Sequence, residues 1–504
     1  MKYLMGIDNG GTFSKAALFD ENGVQISVSS MPTRLITPRP GYTERDMDEL
    51  WEVNAQVCRE AIKKAGIASG DIAGVSFSGH GKGLYLVDAD GRPAYHGIVS
   101  TDTRAWAQVD RWYREGTSEK VYEKTFQEIL AVQPAALLAW FKEHEPEVLE
   151  NTRYIFSVKD YIRFRITGEA YSEYTDCSGG NLVNLKTRSY DRELMKLFGI
   201  EECYAKLPPL RNSAEICGYV TKKAGEETLL PEGIPVAAGM FDVNACAIAS
   251  GLYDEGQMCM IAGTWSINEF IRREPVTNGT VKLNSFFCIP DFFLVEESSP
   301  ASAGNLEWFI RHFMGGEARE AKEKNRSIYD VTNEWAGAVE PQDCNIIFLP
   351  FLNGSNEDPL AKGTFVGLSA FHDKRHILRA IYEGVVFSHM AHIRKLLQNC
   401  NVPKSIRLSG GAANSKVWVQ IFADAIQIPI DIVEGKEPGA QGAAMAAGIA
   451  AGIYKDYQDA VNRTVKINRT IYPRPEYKAV YEEKYEAYRA VVEGLSGVWS
   501  RFKN

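Results

Sequence analysis

The residues best suited to chemistry lie in a short glycine-containing turn near the N-terminus. Residues 8–12 read Asp-Asn-Gly-Gly-Thr and stand between two apolar runs. Consecutive glycines let backbone amides approach an anion without interference from a side chain, so Gly10 and Gly11 are candidate phosphate contacts. The hydroxyl groups of Thr12 and Ser14 add hydrogen-bond donors. The turn therefore predicts a small anion-binding site.

Two charged residues flank this turn and extend its possible chemistry. Lys15 could place a positive charge beside a bound phosphate. Asp8 follows an apolar run, and a carboxylate at a strand end can hold magnesium through water, since magnesium prefers carboxylate, phosphate and water oxygens. The alternative interpretation is an ordinary hairpin turn, because Asn-Gly is a standard hairpin sequence.

A second Gly-Thr pair favours the phosphate-binding interpretation. Gly263-Thr264 follows the apolar run 258–262, half a chain length after Gly11-Thr12. Residues 406–411 likewise resemble residues 74–79, again at the end of an apolar run. Two matches in the same order indicate an internal duplication, in which two Gly-Thr hairpins would clamp a phosphate.

Asp242 is the candidate general base. It precedes the small-residue stretch 243–250, for which a helix is predicted, and Asp is a favoured N-cap residue. The catalytic alternative is acceptance of a proton from a substrate hydroxyl during phosphoryl transfer. A helix N-terminus can also be an active-site position, so the two interpretations are compatible.

Further glycine-rich and polar segments are candidates for contacts with a nucleotide or a sugar. Residues 410–414 join a predicted strand to a helix, where glycines would admit an adenine and Asn414 could hydrogen-bond it. Residues 80–83 and 102–104 follow apolar runs, and their polar groups could hold sugar hydroxyls or form solvated loops. Residues 439–444 favour tight helix packing, and the pair His389 and His392 favours helix packing over metal binding.

The pattern of apolar runs and turns predicts the elements that carry these residues. Runs 3–7, 13–19 and 24–29 are separated by two turns and predict a β-meander. A helix is predicted over 47–65, and a strand over 72–78. The second half repeats strands at 258–262 and 267–271, and the segment 473–504 predicts a C-terminal helix. We place the domain boundary near residues 250–256.

Composition narrows the class of protein. A chain of 504 residues needs more than one hydrophobic core. Its net charge of −9 argues against a nucleic-acid partner, because phosphate backbones require clustered Lys and Arg. The N-terminus does not resemble a signal peptide, and no apolar run is long enough to span a membrane. The nine cysteines lack a C-x-x-C pair and favour reduced thiols in the cytoplasm.

Taken together, these motifs resemble the FGGY carbohydrate kinases of the actin and heat-shock chaperone ATPase superfamily. The order of the Asp8–Thr12 turn, Asp242, Gly263-Thr264 and Gly410-Gly411 is the order found in that family. The second FGGY signature is matched by residues 363–368, 376–377 and 380–383. The first signature is matched at Pro134, Leu138, Trp140, Glu143 and His144, but Leu137 stands where Lys is usual.

This resemblance implies an α/β fold of two duplicated ribonuclease-H-like domains, residues 1–250 and 251–504, with the active site in the cleft between them. It implies ATP and Mg²⁺ as cofactors, Asp242 as catalytic base and Asp8 near the metal. The implied nucleotide contacts are Gly10, Gly11, Thr12, Phe13, Lys15, Gly263, Thr264, Gly304, Gly410, Gly411 and Asn414. The implied sugar contacts are His80, Gly81, Lys82, Asp102 and Asp242.

Local similarity also indicates the sugar. Residues 41–46, 81–84, 304–309 and 382–390 most resemble the bacterial L-xylulose kinases within the family. Xylulokinases commonly carry Gln-Met-His where this chain has residues 80–82, which points away from D-xylulose. We therefore expect a ketopentose such as L-xylulose, phosphorylated at its terminal hydroxyl.

Two alternatives remain open from the sequence. One is a kinase for another polyol or sugar acid, of the xylulose, ribulose, glycerol, erythritol or gluconate type, with Lys82 pairing a carboxylate. The other is a chaperone-like or filament-forming ATPase without kinase activity. A small-molecule sugar is the expected partner, with no nucleic acid and no membrane. Kinases of this kind are commonly homodimers, so a homodimer is possible by analogy.

Overall fold

A computed structural model describes residues 1–263 and 265–502. The chain forms two compact units that are not continuous in sequence. The first unit comprises Met1–Tyr253, Ile271–Val295 and Gly435–Val465, and the second comprises Asp254–Phe270, Glu296–Glu434 and Lys466–Asn504. The predicted division into domains at residue 250 stays a prediction. Each of the two packed units also contains segments from beyond residue 253, so the units do not correspond to two continuous halves of the chain.

Strands occur throughout the chain. They are β1 Tyr3–Asn9, β2 Phe13–Asp20, β3 Gln25–Pro32, β4 Glu44–Arg45, β5 Ile72–Gly79, β6 Tyr85–Val87, β7 Gly97–Ile98, β8 Tyr154–Phe156, β9 Ser172–Glu173, β10 Val183–Asn184, β11 Ser189–Tyr190, β12 Leu210–Arg211, β13 Ile216–Tyr219, β14 Pro235–Ala237, β15 Met240–Phe241, β16 Met258–Ala262, β17 Ser266–Arg272, β18 Leu283–Phe286, β19 Phe293–Ser299, β20 Ile347–Leu349, β21 Thr364–Val366, β22 Ile406–Ser409, β23 Ile430–Val433 and β24 Ile467–Ile471.

Helices connect and cover these strands. They are α1 Met47–Ala65, α2 Trp106–Arg114, α3 Thr117–Thr125, α4 Pro134–His144, α5 Pro146–Asn151, α6 Val158–Thr167, α7 Tyr174–Ser178, α8 Arg192–Leu197, α9 Lys222–Thr228, α10 Asp242–Ala249, α11 Gly304–Phe313, α12 Gly315–Glu323, α13 Ile328–Gly337, α14 Lys374–Leu396, α15 Lys416–Ile426, α16 Pro438–Ala450, α17 Tyr457–Thr464 and α18 Lys478–Leu495. Short 3₁₀ turns lie at Ser69–Asp71, Glu201–Lys206, Pro341–Asp343, Gly411–Asn414, Pro475–Tyr477 and Trp499–Arg501.

The first unit is built on a mixed sheet with the order β13-β14-β5-β1-β2-β3, and β15 pairs with β5. Strands β1, β2 and β3 form the predicted antiparallel meander, whereas β5 runs parallel to β1. The interior faces of these strands are apolar, and Met5, Ile7 and Val75 are fully buried. The meander and β5 therefore provide a rigid edge for the candidate phosphate turn.

The second sheet repeats this arrangement. Its order includes β17-β16-β22-β23-β24, with β17 antiparallel to β16 and β22 parallel to β16. The trio β16, β17 and β22 thus has the same pairing pattern as β1, β2 and β5. This shared topology supports the duplication inferred from the sequence and gives a two-domain α/β fold.

Helix α16 returns from the C-terminal half of the chain to complete the first unit. A Cβ added at Gly6 of β1 would lie 1.8 Å from the Ala440 carbonyl oxygen, and one at Gly442 would lie 2.2 Å from the Ala245 carbonyl oxygen. Only glycine fits at such close backbone approaches. The tight packing predicted for residues 439–444 is confirmed, and it explains why the first unit is discontinuous.

The predicted elements agree closely with the observed ones where the sequence signal is local. The predicted helix 47–65 is α1, which Asp46 caps by accepting hydrogen bonds from two backbone amides in the first turn. The C-terminal segment forms α18. Among the residues described, no helix combines the length and apolar character that crossing a membrane requires.

Candidate active site

The phosphate turn predicted from the sequence is shorter than expected. Strand β1 continues through Asp8 and Asn9, which pair with Lys15 and Ser14 across the hairpin. The turn proper therefore begins at Gly10, whose N–H donates to the Phe13 carbonyl at 3.0 Å. Placing Asp8 and Asn9 in the turn was wrong, because the strand ladder extends to both.

The tip of this turn is open. A Cβ at Gly11 would meet no atom within 4 Å, and Thr12 and Phe13 are exposed. The Arg45 guanidinium lies behind the tip and donates to the Gly11 carbonyl oxygen at 2.6 Å. Because Arg45 is only 1% exposed, it fixes the carbonyl side of the turn from within the unit.

Ser14 does not contribute a donor to this surface. Its side chain is fully buried and donates to Asn9 Oδ1 at 2.9 Å. Asn54 Nδ2 donates to the same oxygen at 2.8 Å. The expectation that Ser14 faces an anion is wrong, because strand alternation directs its side chain toward α1.

Asp8 and Lys15 are charged residues that face each other across the hairpin beside the turn. The Lys15 ammonium lies 2.7 Å from Glu437 Oε2, and the Ser78 hydroxyl donates to Asp8 at 2.8 Å. Burial raises the pKa of the Asp8 carboxyl, although the Ser78 bond and Lys15 oppose that rise. Burial alone would lower the pKa of Lys15, but the bond to Glu437 raises it. Sequence reasoning missed Glu437, which no local signal connects to the turn.

Asp242 follows a short, tightly held segment of the first unit. It is the first residue of α10, directly after β15, and Phe241 is the N-cap. The predicted helix 243–250 is therefore confirmed with its start one residue earlier. Strand β15 pairs with the end of β5, where Phe241 stands opposite Gly79. This pairing brings Asp242 to the end of the strand that leads into residues 80–83.

Residues 80–83 adjoin the segment before Asp242. A Cβ on Gly81 would lie 2.3 Å from Phe241 Cε2, so the phenyl ring occupies the space of a side chain at position 81. Lys82 adopts a left-handed conformation with a φ of 63°. The His80 ring lies 3.0 Å from the Tyr85 hydroxyl, and burial lowers the pKa of His80 to about 3. Gly81 thus packs against Phe241, the residue before the candidate base, and Lys82 follows Gly81 in the chain, while His80 is buried and neutral.

Asp102 lies in a buried ion pair. Its carboxylate accepts the Thr43 N–H at 2.7 Å and the Arg104 guanidinium at 2.8 Å. Arg104 also bonds to Glu44 at 2.7 Å and stacks against Tyr42. Because Asp102 is 1% exposed, its direct contact with a sugar stays a prediction, while its bonds to the surrounding loops are observed.

The second unit gathers the other predicted glycines around the end of β16. The Ala303 N–H donates to the Gly263 carbonyl oxygen at 2.9 Å, which places the start of α11 at Gly304 beside that turn. Gly410 has a φ of 91°, and a Cβ there would lie 3.0 Å from the Gly263 nitrogen. Gly411 is open, with no atom within 4 Å of an added Cβ.

Two more predicted residues of this group need separate mention. Asn414 ends the 3₁₀ turn Gly411–Asn414 just before α15. Thr264 lies outside the described residues. The second unit thus brings Gly263, Gly304 and Gly410 together around one sheet edge, and their contact with a nucleotide stays a prediction.

The histidine pair on α14 belongs to a buried polar network. His389 lies 2.9 Å from Asn268 Oδ1 and 3.1 Å from the Ser302 hydroxyl. His392 lies 3.1 Å from Asn268 Nδ2. The helix-packing interpretation of His389 and His392 is confirmed by these contacts. In the described part of the chain, no group of three or more His, Cys, Asp or Glu side chains is arranged to hold a metal.

Comparison with known proteins agrees with this geometry. Residues 3–249 match the FGGY family of carbohydrate kinases, N-terminal domain, and residues 258–451 match its C-terminal domain. The "Probable L-xylulose kinase" of Haemophilus influenzae is 37% identical over 500 residues, covering 99% of this chain and 100% of that protein. The "L-xylulose/3-keto-L-gulonate kinase" of Escherichia coli is 35% identical, covering 100% of this chain and 99% of that protein.

Solved structures show the same fold. The crystal structure of xylulose kinase from Rhodospirillum rubrum has a TM-score of 0.88 at 26% identity and covers 99% of this chain and 100% of its own. The ligand-bound xylulose kinase from Lactobacillus acidophilus has a TM-score of 0.91 at 23% identity, covering 100% of both chains. The fold and sequence define a sugar-phosphorylating enzyme. The chain belongs to the FGGY family of carbohydrate kinases, a family for which ATP is the phosphoryl donor.

Proposed function

We propose that this kinase transfers the γ-phosphate of ATP to the terminal hydroxyl of a ketopentose, with L-xylulose as the substrate. The observation that carries the proposal is the packing of Phe241 on Gly81, which joins the segment before Asp242 to the predicted sugar-binding residues. The relatives named for L-xylulose match across essentially their whole length, which supports the choice of pentulose.

In this mechanism, Asp242 accepts the proton of the attacking hydroxyl. The hydroxyl oxygen forms a bond to the γ-phosphorus, the bond from that phosphorus to the bridging oxygen breaks, and ADP leaves. In a loose transition state little proton transfer is needed early, so a well-placed carboxylate of ordinary basicity is sufficient. Gly81, Lys82 and Asp102 would line the sugar site, and His80 would support them.

Phosphate contacts are proposed separately in each unit. In the first unit, the amides of Gly11 and Thr12 suit phosphate oxygens, with Lys15 as the neighbouring cation. Gly10, whose N–H donates to the Phe13 carbonyl, would let the phosphate approach the turn closely. Phe13 lies exposed at the same tip. In the second unit, the glycines around the end of β16 would contact the nucleotide, and Asn414 would lie by the adenosine. These residues are Gly263, Gly304, Gly410 and Gly411.

The chemistry around Asp8 fits a magnesium ion. A carboxylate whose pKa is raised by burial gains from a nearby divalent cation, and the adjoining turn would supply phosphate oxygens as further ligands. Asp8 would hold the ion, directly or through water. Bound Mg²⁺ would neutralise charge on the phosphates.

The central test is Asp242→Asn. Loss of the carboxylate should lower kcat by about 10²–10⁴-fold, because general base catalysis contributes in that range, while ATP affinity is retained. Steady-state kinetics with L-xylulose and nucleotide binding by calorimetry measure the two effects. Asp48→Asn, which alters an exposed carboxylate in the first turn of α1, is the matched control. Near-full activity of Asp242→Asn would remove this residue from the mechanism.

A sugar acid is the second candidate substrate, favoured by Lys82. This half-buried ammonium has no hydrogen bond or ion pair within the described part of the chain, and its left-handed backbone holds it beside Gly81. A free ammonium suits a carboxylate. The relative from Escherichia coli named for both L-xylulose and 3-keto-L-gulonate suggests that one site accepts a neutral and an acidic sugar.

Lys82→Met separates the two substrates. If Lys82 pairs with a carboxylate, KM for 3-keto-L-gulonate should rise about 10–100-fold, since a charged hydrogen bond contributes about 1.5–3 kcal/mol. KM for L-xylulose should change by less than about threefold, because its hydroxyls need no countercharge. Equal losses for both sugars would show that Lys82 holds a group common to them. A wider panel of pentuloses, polyols and aldonates defines the range of acceptors.

Two further proposals rest on family resemblance. We propose a homodimer, which sedimentation analysis would test, and a cytoplasmic location, which cell fractionation would test. Kinase activity is also distinguished from a chaperone-like ATPase by ADP release. Release that rises when sugar is added supports the kinase, and release unaffected by any sugar contradicts it.

A further inference from the structure

The segment before Asp242 is fixed by hydrogen bonds from several elements of the first unit. Arg163 Nη1 donates to the Ala238 carbonyl oxygen at 2.6 Å. The Gly239 N–H donates to the Ser213 carbonyl oxygen at 3.0 Å. The last bond before the candidate base is the one from the Phe241 N–H to Thr175 Oγ1, at 2.9 Å.

The bond from the Phe241 N–H to Thr175 holds the start of α10, which has no side-chain N-cap. Phe241 is the N-cap residue of α10, and its phenyl ring has no atom that could accept a hydrogen bond from the first turn. The position of the first turn therefore depends on how the backbone of Phe241 is held. Strand β5 holds it on one side, and the Thr175 hydroxyl holds its amide.

The Thr175 hydroxyl is itself oriented. It donates its single proton to Glu173 Oε2 at 2.7 Å, which leaves its lone pairs for the Phe241 N–H. Both side chains are enclosed, with Thr175 1% and Glu173 0% exposed. Water cannot readily substitute for either bond at such a site, so the geometry depends on these two groups.

Glu173 is held in place from the other direction. Its Oε1 accepts the Thr175 N–H at 2.9 Å and the Ser213 hydroxyl at 2.7 Å. The buried ammonium of Lys159 lies 3.5 Å from its Oε2. A rigid sequence of contacts thus runs from Lys159 through Glu173 and Thr175 to the amide that precedes Asp242.

We propose that Thr175 is a positioning residue for Asp242: its hydroxyl, oriented by Glu173, sets where the first turn of α10 places the carboxylate. The role rests on the proposed function of Asp242 as the base. Thr175 need not touch the sugar, so its loss should affect the chemical step more than substrate binding.

Thr175→Val tests this role, since valine keeps the shape and removes the hydroxyl. We expect kcat to fall about 10–100-fold, in the range that a misplacement of about 1 Å produces, with KM for sugar and for ATP within about threefold. Thr175→Ser, which restores the hydroxyl, should return kcat to within about threefold of the original enzyme. This difference between kcat and KM separates positioning from a purely structural role.

Thr228→Val is the matched control. The Thr228 hydroxyl is also 1% exposed, accepts the Leu230 N–H at 3.2 Å and donates to the Ala224 carbonyl at 2.6 Å. The Thr228→Val variant therefore loses an equivalent buried hydroxyl in the same unit. Thr228 is distant from Asp242 in sequence and shares no hydrogen bond with its segment. Its kcat should be unchanged once folding is verified by circular dichroism.

Three outcomes would overturn the proposal: kcat of Thr175→Val equal to that of Thr228→Val, no rescue by Thr175→Ser, or a loss carried by KM alone. If the valine variant does not fold, Thr175→Cys, with a weakly accepting thiol, replaces it with the same expected loss. Asp242→Asn is measured in parallel. Activity retained there removes Asp242 from the mechanism and the positioning role with it, whereas an inactive Asp242→Asn beside a fully active Thr175→Val defeats the positioning role alone.

Discussion

The first unit contains a cluster of five buried charged side chains. Lys159, Asp160, Arg163 and Glu173 are 0% exposed, and Asp176 is 5% exposed. Such residues are rarely buried unless they are paired. The Lys159 ammonium lies 2.9 Å from Asp160 and 3.5 Å from both Glu173 and Asp176, and the Arg163 guanidinium lies 2.7 Å from Asp160. Two cations therefore face three carboxyl groups. The charges do not balance unless a carboxyl stays protonated.

Asp176 is the carboxyl group that retains a proton. Burial raises the pKa of its carboxyl to about 7, against an opposing attraction from Lys159. An unfolded Asp has a pKa of about 3.9, so the folded state retains a proton that the unfolded state releases between these values. The free energy of unfolding should therefore fall as pH rises from about 4 to about 7, and then level off.

Asp176→Asn removes this titration. Its free energy of unfolding should vary less than that of the original enzyme between pH 4 and 7, and exceed it by roughly 2–4 kcal/mol at pH 8. Urea unfolding at a series of pH values measures both curves. Asp90→Asn, at an exposed loop carboxylate, is the control and should leave the curve unchanged. A slope that persists in Asp176→Asn would assign the titration to another group.

The same residues show where sequence reasoning succeeded and where it could not. The hairpin turn after β1 and the helix that begins at Asp242 could be predicted because glycines and small residues after an apolar run are local signals, while the roles of both sites stay predictions. Glu437 lies beside Lys15 only in the folded chain, and Thr175 acts through a backbone amide. Nothing in the spacing of either residue marks its partner.

Among the elements, strands and helices with local signals were predicted well. The helix 47–65 and the strand 258–262 coincide with α1 and β16, and the strand predicted before residue 410 is β22. The order of the strands in the sheet could not be predicted from the sequence. The parallel pairing of β1 with β5, for example, joins residues about 70 positions apart, and no local signal marks such a pair. The sequence predicted tight packing for residues 439–444 of α16, but it did not indicate that α16 belongs to the first unit.

Close packing of α16 gives a prediction for that element. In Gly442→Ala, the new methyl would meet the Ala245 backbone of α10. Overpacking of this kind typically costs about 1–3 kcal/mol, so the midpoint of urea unfolding should fall. Gly494→Ala is the matched control, because a Cβ at that position of α18 meets nothing within 4 Å and alanine is the better helix former. Equal stability of both variants would show that α10 and α16 can separate without cost.

For the whole molecule, the discontinuous first unit is the feature that continuous domain boundaries miss. The family's N-terminal domain ends at residue 249, yet α16 covers β1 and β5 from a segment that begins after residue 434. A fragment that ends near residue 250 would expose the apolar face of those strands. Apolar surface uncovered in this way costs about 25 cal/mol for each Å², which a domain of marginal stability cannot sustain.

This organisation predicts how fragments of the chain behave. Residues 1–253 alone should lack a cooperative thermal transition, whereas residues 1–295 joined by a flexible Gly/Ser linker to residues 435–465 should unfold cooperatively. The second design restores Ile271–Val295 and Gly435–Val465 to the first unit, so that α16 again covers β1 and β5, and it keeps Asp254–Phe270 as the link between the first two segments. Circular dichroism during heating follows the unfolding of both fragments, and a Gly/Ser linker of about 20 residues is flexible. A version of the joined fragment with Gly442→Ala should melt at a lower temperature, because the same α10–α16 contact is strained. Cooperative melting of residues 1–253 at the temperature of the joined fragment would show that α16 is dispensable and that the continuous half folds by itself.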